Sequence, residues 1–304
     1  MTAPFISDAL GPKARRRVLI ATVVSGLAIV IVMVLAVRRL ADRGQFDARL
    51  WRPLADPAVL RFLLRGLRST VAAAVVAMSL SMVAGGFLAL GRLSRTAPVR
   101  WLAGGYVEIF RAMPLIILMY FCVLALPKYG IDLSPFQAVV LALVAYNSAV
   151  LGEIFRAGIL SLDRGQSEAA YAVGLTYWQA MLGVIVPQAA RRMVPAIVSQ
   201  LVTLLKDTSL GGAVIGFDDL LRRSRDTSTF YSNFLQVFAA AAAVYILVNF
   251  CLSRLARRLE IRQRRRYGAS AIQVTGVEEL AVVGVQAEAA MPVAGVVDSG
   301  PGKV

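Results

Sequence analysis

The 304-residue sequence has no histidine, only two cysteines, and 18 carboxylates against 33 lysines and arginines. Without histidine the chain lacks the commonest metal ligand and the usual general base. Cys122 and Cys251 both lie inside apolar runs. That setting marks them as packing residues rather than a disulfide or a redox pair. Charged residues make up 17% of the chain, too few to clothe a water-soluble globule of this size. No Gly-x-x-x-x-Gly-Lys-[Ser/Thr] occurs. The nearest approach, Gly86 to Gly91 followed by Arg92-Leu93, sits inside an apolar run and reads as a small-residue packing face. These absences point away from a soluble enzyme and from a chain that hydrolyses ATP itself.

What remains is apolar and basic. Apolar residues are 58% of the chain, and the formal charge is 33 − 18 = +15; the mean hydropathy is +0.68. A nucleic-acid binder would carry such charge on a polar shell, whereas a multi-span membrane protein collects Arg and Lys in its cytoplasmic loops. Residues 18–37, 69–91, 133–152 and 227–253 are free of charge. At about 1.5 Å per residue, each can cross a hydrocarbon core of roughly 30 Å. Two less clean stretches complete the set: 101–127, with Glu108, Arg111 and Pro114, and 193–217, interrupted by Lys206 and Asp207. The expectation is an all-α, multi-span membrane protein with about six transmembrane helices.

Lys13, Arg15, Arg16 and Arg17 precede the first span, and no small-residue cleavage signal follows it. It reads as a retained helix with a cytoplasmic N-terminus. Six crossings return the C-terminus to the same side, where Arg254, Arg257, Arg258, Arg262, Arg264, Arg265 and Arg266 agree with it. Residues 38–68 disagree: they carry eight arginines against three aspartates and would lie outside. Within them Val59 to Arg65 is read as an interfacial amphipathic helix, its arginines snorkelling to lipid phosphates. Residues 267–304 show no period and read as a disordered tail. The chain thus divides into 1–66 (basic segment, first helix, external linker), 67–257 (transmembrane core) and 258–304 (basic cytoplasmic tail).

The polar interruption at 158–192 encodes a helix–turn–helix. Residues 167–173 form a short helix that Gly174 is suited to stop in the left-handed conformation. Thr176-Tyr177-Trp178-Gln179 fits a capping box opening a second short helix toward Pro187. Alanines at 169, 170 and 172 leave low relief for another surface. On geometry alone this is either a docking element or an ordinary elbow.

Glu168-Ala169-Ala170, three residues, Gly174, nine residues, then Val184-Ile185-Val186-Pro187 resembles the EAA loop of ABC importer permeases. The pattern there is Glu-Ala-Ala, three residues, Gly, nine residues, Ile-x-Leu-Pro. Residues 153–159, 164–170, 187–189 and 204–210 resemble, more closely, the polar amino-acid permeases of the glutamate type, over roughly residues 62–257. Ala112-Met113 and Ser199 depart from the usual residues of that branch. The resemblance implies a type I ABC importer core that pairs with a second permease chain, the same or similar. It further implies a cytoplasmic ATPase dimer, which supplies ATP and Mg, and an external amino-acid-binding protein. No cofactor is implied in this chain, and the only other partner is membrane lipid. Glu168, Ala169, Ala170, Gly174 and Pro187 would form the coupling loop: Glu168 as a charged or capping contact, the alanines for close docking, Gly174 for the turn.

Charges that interrupt spans are expensive and face a bundle interior or a polar pathway. Lys206 and Asp207 are about 100° apart on a helix and do not pair well with each other, so each meets another helix or substrate. Thr208 and Ser209 can satisfy backbone carbonyls or a substrate ammonium equally well. Asn147, mid-span, is either interhelical glue or a pathway contact. Glu153 with Arg156, and Glu108 with Arg111, are spaced for ion pairs, and Pro114 should kink its helix. A secondary transporter coupled to an ion gradient and a non-transporting scaffold remain the other readings of the sequence.

Overall fold

The computed structural model describes residues 11–255 and 258, and every regular element in them is helical. The expected tail and most of the C-terminal arginines lie outside the described residues. The helices are α1 (Pro12–Asp42), α2 (Ala48–Trp51), α3 (Pro57–Arg92), α4 (Ala97–Ala112), α5 (Leu115–Tyr120), α6 (Pro135–Leu160), α7 (Arg164–Ala172), α8 (Tyr177–Ala180), α9 (Val186–Val214) and α10 (Leu220–Tyr231). The last, α11, is Phe234–Leu255. Five helical stretches are long and apolar enough to cross a membrane, and α4 with the Leu115–Tyr129 stretch makes a sixth if that bent pair is one span.

Four sequence expectations need correction. The stretch 101–127 is not one kinked helix but two, meeting at 100°. Met113 is extended (φ −84°, ψ 130°) because the ring of Pro114 excludes the preceding residue from the helical region. Val59 to Arg65 is no separate interfacial helix; it forms the first turns of the 36-residue α3, which Asp56 caps by accepting from the Ala58 N–H at 2.8 Å. The last span starts at Phe234, because Ser232 closes α10 in the left-handed region at φ 52°. Finally, α8 does not end near Pro187. It runs through a π turn, Met181–Ile185, into α9, so that Tyr177–Val214 is one span.

Both π turns end two residues before a proline: Phe121–Ala125 before Pro127, and Met181–Ile185 before Pro187. A proline inside a helix offers no N–H and its ring collides with the carbonyl four residues back. Widening the preceding turn accommodates both faults without breaking the helix.

The core sits where α3 crosses α6. Ala73, Ala74, Ala77, Gly85 and Ala89 from α3 are buried with Ala138, Ala142, Ala149 and Gly152 from α6. Small residues let two backbones approach in a setting where lipid offers no hydrophobic drive to associate. A Cβ on Gly85 would lie 3.0 Å from Leu151 Cβ and 3.1 Å from the Gly152 nitrogen. Met119, Leu143, Leu151 and Leu204 fill the space around the crossing. By contrast, α1 buries none of its apolar window.

Gly85→Val should therefore force the two backbones apart, an overpacking loss of about 1–3 kcal/mol. Thermal unfolding of the purified protein in detergent checks this. An unchanged midpoint would refute the close crossing.

Candidate functional site: a coupling elbow and a polar stripe

The elbow is a pair of helices joined at a left-handed glycine. Asp163 caps α7 by accepting from the Gly165 N–H at 2.8 Å; Glu168 is exposed and plays no capping part. At the far end Gly174 (φ +83°) donates to Tyr171 O at 2.9 Å and Leu175 to Ala170 O at 3.1 Å, which completes a Schellman stop. In the next turn the Gln179 Oε1 accepts from the Thr176 N–H at 2.9 Å, the reach-back of a capping box. Ala169 faces out, while Ala170 is turned inward and buried. The exposed surface is apolar and aromatic as well as small: Tyr171, Val173, Trp178 and Leu182. Gln188 Nε2 donates to Gln166 Oε1 at 3.0 Å, and Arg192 donates to Ser161 O at 2.7 Å, tying the elbow to the start of α9. Pro187 stands exposed in the first turn of α9, behind the π turn.

Above the elbow, Glu153 joins three helices. Arg156 Nε donates to both of its carboxylate oxygens at 3.1 Å, the expected intrahelical pair. Arg92 of α3 donates to Glu153 Oε2 at 2.7 Å and lies 3.6 Å from Glu108 of α4. Glu108 therefore turns to Arg92 rather than to Arg111, contrary to expectation: the third helix is braced to its neighbour, not within itself. Charge-assisted bonds of this kind are the stronger hydrogen bonds.

The second group is a stripe on α9. Ser199, Gln200, Thr203, Lys206 and Asp207 recur at helical spacing on one side of the helix, and each is at least partly exposed. Gln200 Nε2 donates to Asn147 Oδ1 at 2.6 Å, and Asn147 Nδ2 donates to Leu143 O at 2.8 Å. Asn147 is thus a fully buried α6–α9 link at the head of the stripe. Thr208 is also buried, its hydroxyl on Leu205 O at 2.8 Å, and the Ser209 hydroxyl donates to Lys206 O at 2.6 Å. Lys206 and Ser209 border a cavity of about 250 Å³ shared with Leu221, Phe238 and Tyr245. Asp207 makes no hydrogen bond or ion pair among the described residues. The helix runs unbroken through Lys206 and Asp207. Gln200 and Thr203 were missed from the sequence, although their spacing of seven and four residues to Asp207 was there to find.

The sequence profile of the "Binding-protein-dependent transport system inner membrane component" family matches residues 81–265. The chain belongs to that family. The permease is 39% identical over 230 residues to a glutamate transport system permease protein of Corynebacterium glutamicum, covering 74% of this chain and 84% of the relative. It is 41% identical over 207 residues to a protein named a probable glutamine ABC transporter permease in Bacillus subtilis, covering 67% and 94%. A crystal structure of an amino acid ABC transporter with histidines superposes with a TM-score of 0.65 at 31% identity, over 69% of the permease and 97% of that chain. Membership sets aside the secondary transporter and the scaffold. The permease is the membrane subunit of an ABC transporter, and ATP hydrolysis belongs to a separate subunit.

On the far side of the bundle from the elbow, the loop after α9 holds Asp219, fully buried. Its Oδ1 accepts from the Arg222 N–H at 2.8 Å and caps α10. Burial pushes its carboxyl up to about 6, against that hydrogen bond. An ordinary unfolded Asp titrates near 4. Between about pH 4 and 6 the folded protein therefore holds the extra proton, and stability falls as pH rises through that window and is flat above it. Unfolding midpoints across that range should show the slope in the wild type and lose it in Asp219→Asn, which keeps the cap.

Proposed function

We propose that the permease imports a polar amino acid, glutamate or a close relative, by ATP-driven alternating access. What carries this reading is the polar stripe on α9: a span cannot present Gln200, Thr203, Lys206 and Asp207 to lipid, so that side lines a wet path or a partner. The names of the relatives support the substrate class. The permease core, 67–257 together with the preceding turns of α3, pairs with a second permease chain, the same or similar. The N- and C-termini and the elbow at 158–192 face the cytoplasm, segment 1–66 supplies the first helix and external linker, and 258–304 is a cytoplasmic tail. A cytoplasmic ATPase dimer grips the exposed elbow surface, and an external binding protein delivers substrate to the opposite end.

In this mechanism the ATPase moves the elbow, and the elbow moves the spans. Glu168 and Ala169 lie on its outer face beside Tyr171, Val173 and Trp178, while Ala170, Gly174 and Pro187 shape it. Because α8 and α9 form one span, a push at Trp178 reaches Asp207 through a single helix. Lys206 and Asp207 provide opposite charges for a substrate bearing a carboxylate and an ammonium, with Ser209, Asn147 and Thr208 holding the helix geometry around them.

Gly174→Asp forces a side chain into φ +83°, at about 1–2 kcal/mol, and sets a carboxylate beside the docking surface. Uptake of labelled glutamate should fall at least about tenfold at equal membrane level; equal uptake would refute the coupling role. Asp207→Asn should lower uptake by a similar factor with the elbow intact. If Asp207 instead faced lipid, neutralising it would leave uptake unchanged or raise the membrane level.

A further inference from the structure

The arginine-rich segment that the positive-inside rule does not want outside has a geometric explanation. Arg61, Arg65 and Arg68 stand at i, i+4 and i+7 on α3, and all three are exposed. None of them forms an ion pair among the described residues; Arg61 Nε donates only to Pro57 O, at 3.1 Å. Of the neighbouring acids, Asp56 caps α3, Asp218 holds Arg222 and Arg223, and Asp226, in the groove beside Val59 and Phe62, pairs with none of the three. The same helix face continues through Ala72, Val75, Ser79 and Val83, also exposed. Val75 is 55% and Val83 61% exposed. Ser79 turns its hydroxyl back onto Val75 O at 2.9 Å, leaving no free polar group on that strip. The opposite side, Val59, Gly66, Thr70 and Ala73, is buried.

Length fixes the level of the arginines. From Arg92, which marks the elbow end of α3, to Arg68 is about 36 Å along the helix, and to Arg61 about 47 Å. A hydrocarbon core is roughly 30 Å thick and a bilayer with headgroups roughly 40–45 Å. Arg68 thus stands at the headgroup boundary, with Arg65 and Arg61 rising through the headgroup layer above a strip made for acyl chains.

We propose that this face of α3 is a binding site for an anionic phospholipid in the leaflet opposite the elbow. The phosphates and the extra headgroup charge sit on Arg61, Arg65 and Arg68, and an acyl chain lies along Ala72, Val75 and Ser79, which span about the depth of one leaflet. An arginine near an anionic surface is worth about a fivefold gain in lipid affinity. The site depends on the insertion of α3, not on which side of the membrane the elbow faces.

The test replaces Trp51, Trp101 and Trp178 with Phe and places one tryptophan at Ala72, on the same face as Arg68. The full chain is reconstituted in phosphatidylcholine mixed with brominated phosphatidylglycerol, or the reverse, and quenching gives the relative affinity of the two lipids at that point. The arginine-bearing protein should prefer phosphatidylglycerol at least about fivefold, and Arg61→Gln/Arg65→Gln/Arg68→Gln should bring the ratio close to one. A tryptophan at Val83 instead, past the bilayer middle and beyond the reach of that acyl chain, should report a ratio near one in both. A ratio near one with the arginines present would overturn the site, as would a preference that survives their removal. Absence of quenching at Ala72 by either lipid would overturn it by showing that a second protein chain covers the face. Salt-sensitive loss of binding-protein docking in the triple variant, with the lipid ratio unmoved, would assign the arginines to that partner instead.

Discussion

The close crossing of α3 over α6 at Gly85 and Gly152 is the constraint on which the other helices depend. In lipid, apolar surface alone does not draw two helices together, so contact area and polar links decide. The glycines and buried alanines bring the backbones close. Just beyond the crossing, Glu153 then fastens α6 to Arg92 of α3, and through it to Glu108 of α4. On the other side of α6, Asn147 holds Gln200 and so fixes the rotation of α9. Four helices are therefore set by one crossing and two polar joints.

Those joints separate two uses of polarity within the membrane. Glu153, Arg92 and Asn147 are satisfied by other parts of the protein, and their geometry is closed. The stripe from Ser199 to Asp207 is open, and Asp207 has no bonding partner among the described residues. A polar or charged group left facing lipid is costly, so an open stripe calls for water, substrate or a second chain, whereas a closed joint calls for nothing further. This difference, more than charge itself, separates the closed joints from the open stripe in the permease.

Much of the plan was legible in the residues. The apolar runs marked the spans, the Gly174 stop and the Thr176–Gln179 reach-back came through as local chemistry, and the Glu153–Arg156 pair followed from spacing. What failed to show involved partners distant in sequence or the response of a helix to proline. Arg92 and Glu153 are separated by 61 positions, so nothing local indicated that Glu108 would turn to Arg92. Pro187 looked like a place to stop, because a run of residues does not reveal that a wider turn can carry the helix past it. Ala170 read as surface because its neighbours do; only the packing of α7 turned it inward. Gln200 is polar in a way that attracts no notice until its link to Asn147 is seen.

The π turn at Met181–Ile185 has one more consequence. A wider turn uses one residue more than an α-turn, and one residue of helix is about 100° of rotation. The turn therefore sets the phase between the elbow and everything beyond it. With it, Gln200 meets Asn147 and the polar stripe lies along one side; a regular α-turn would swing the same residues about a quarter of the way round. The spacing from Gly174 to Pro187 is in this sense a clocking dimension, and a single inserted or deleted residue there would misalign a helix that is otherwise intact.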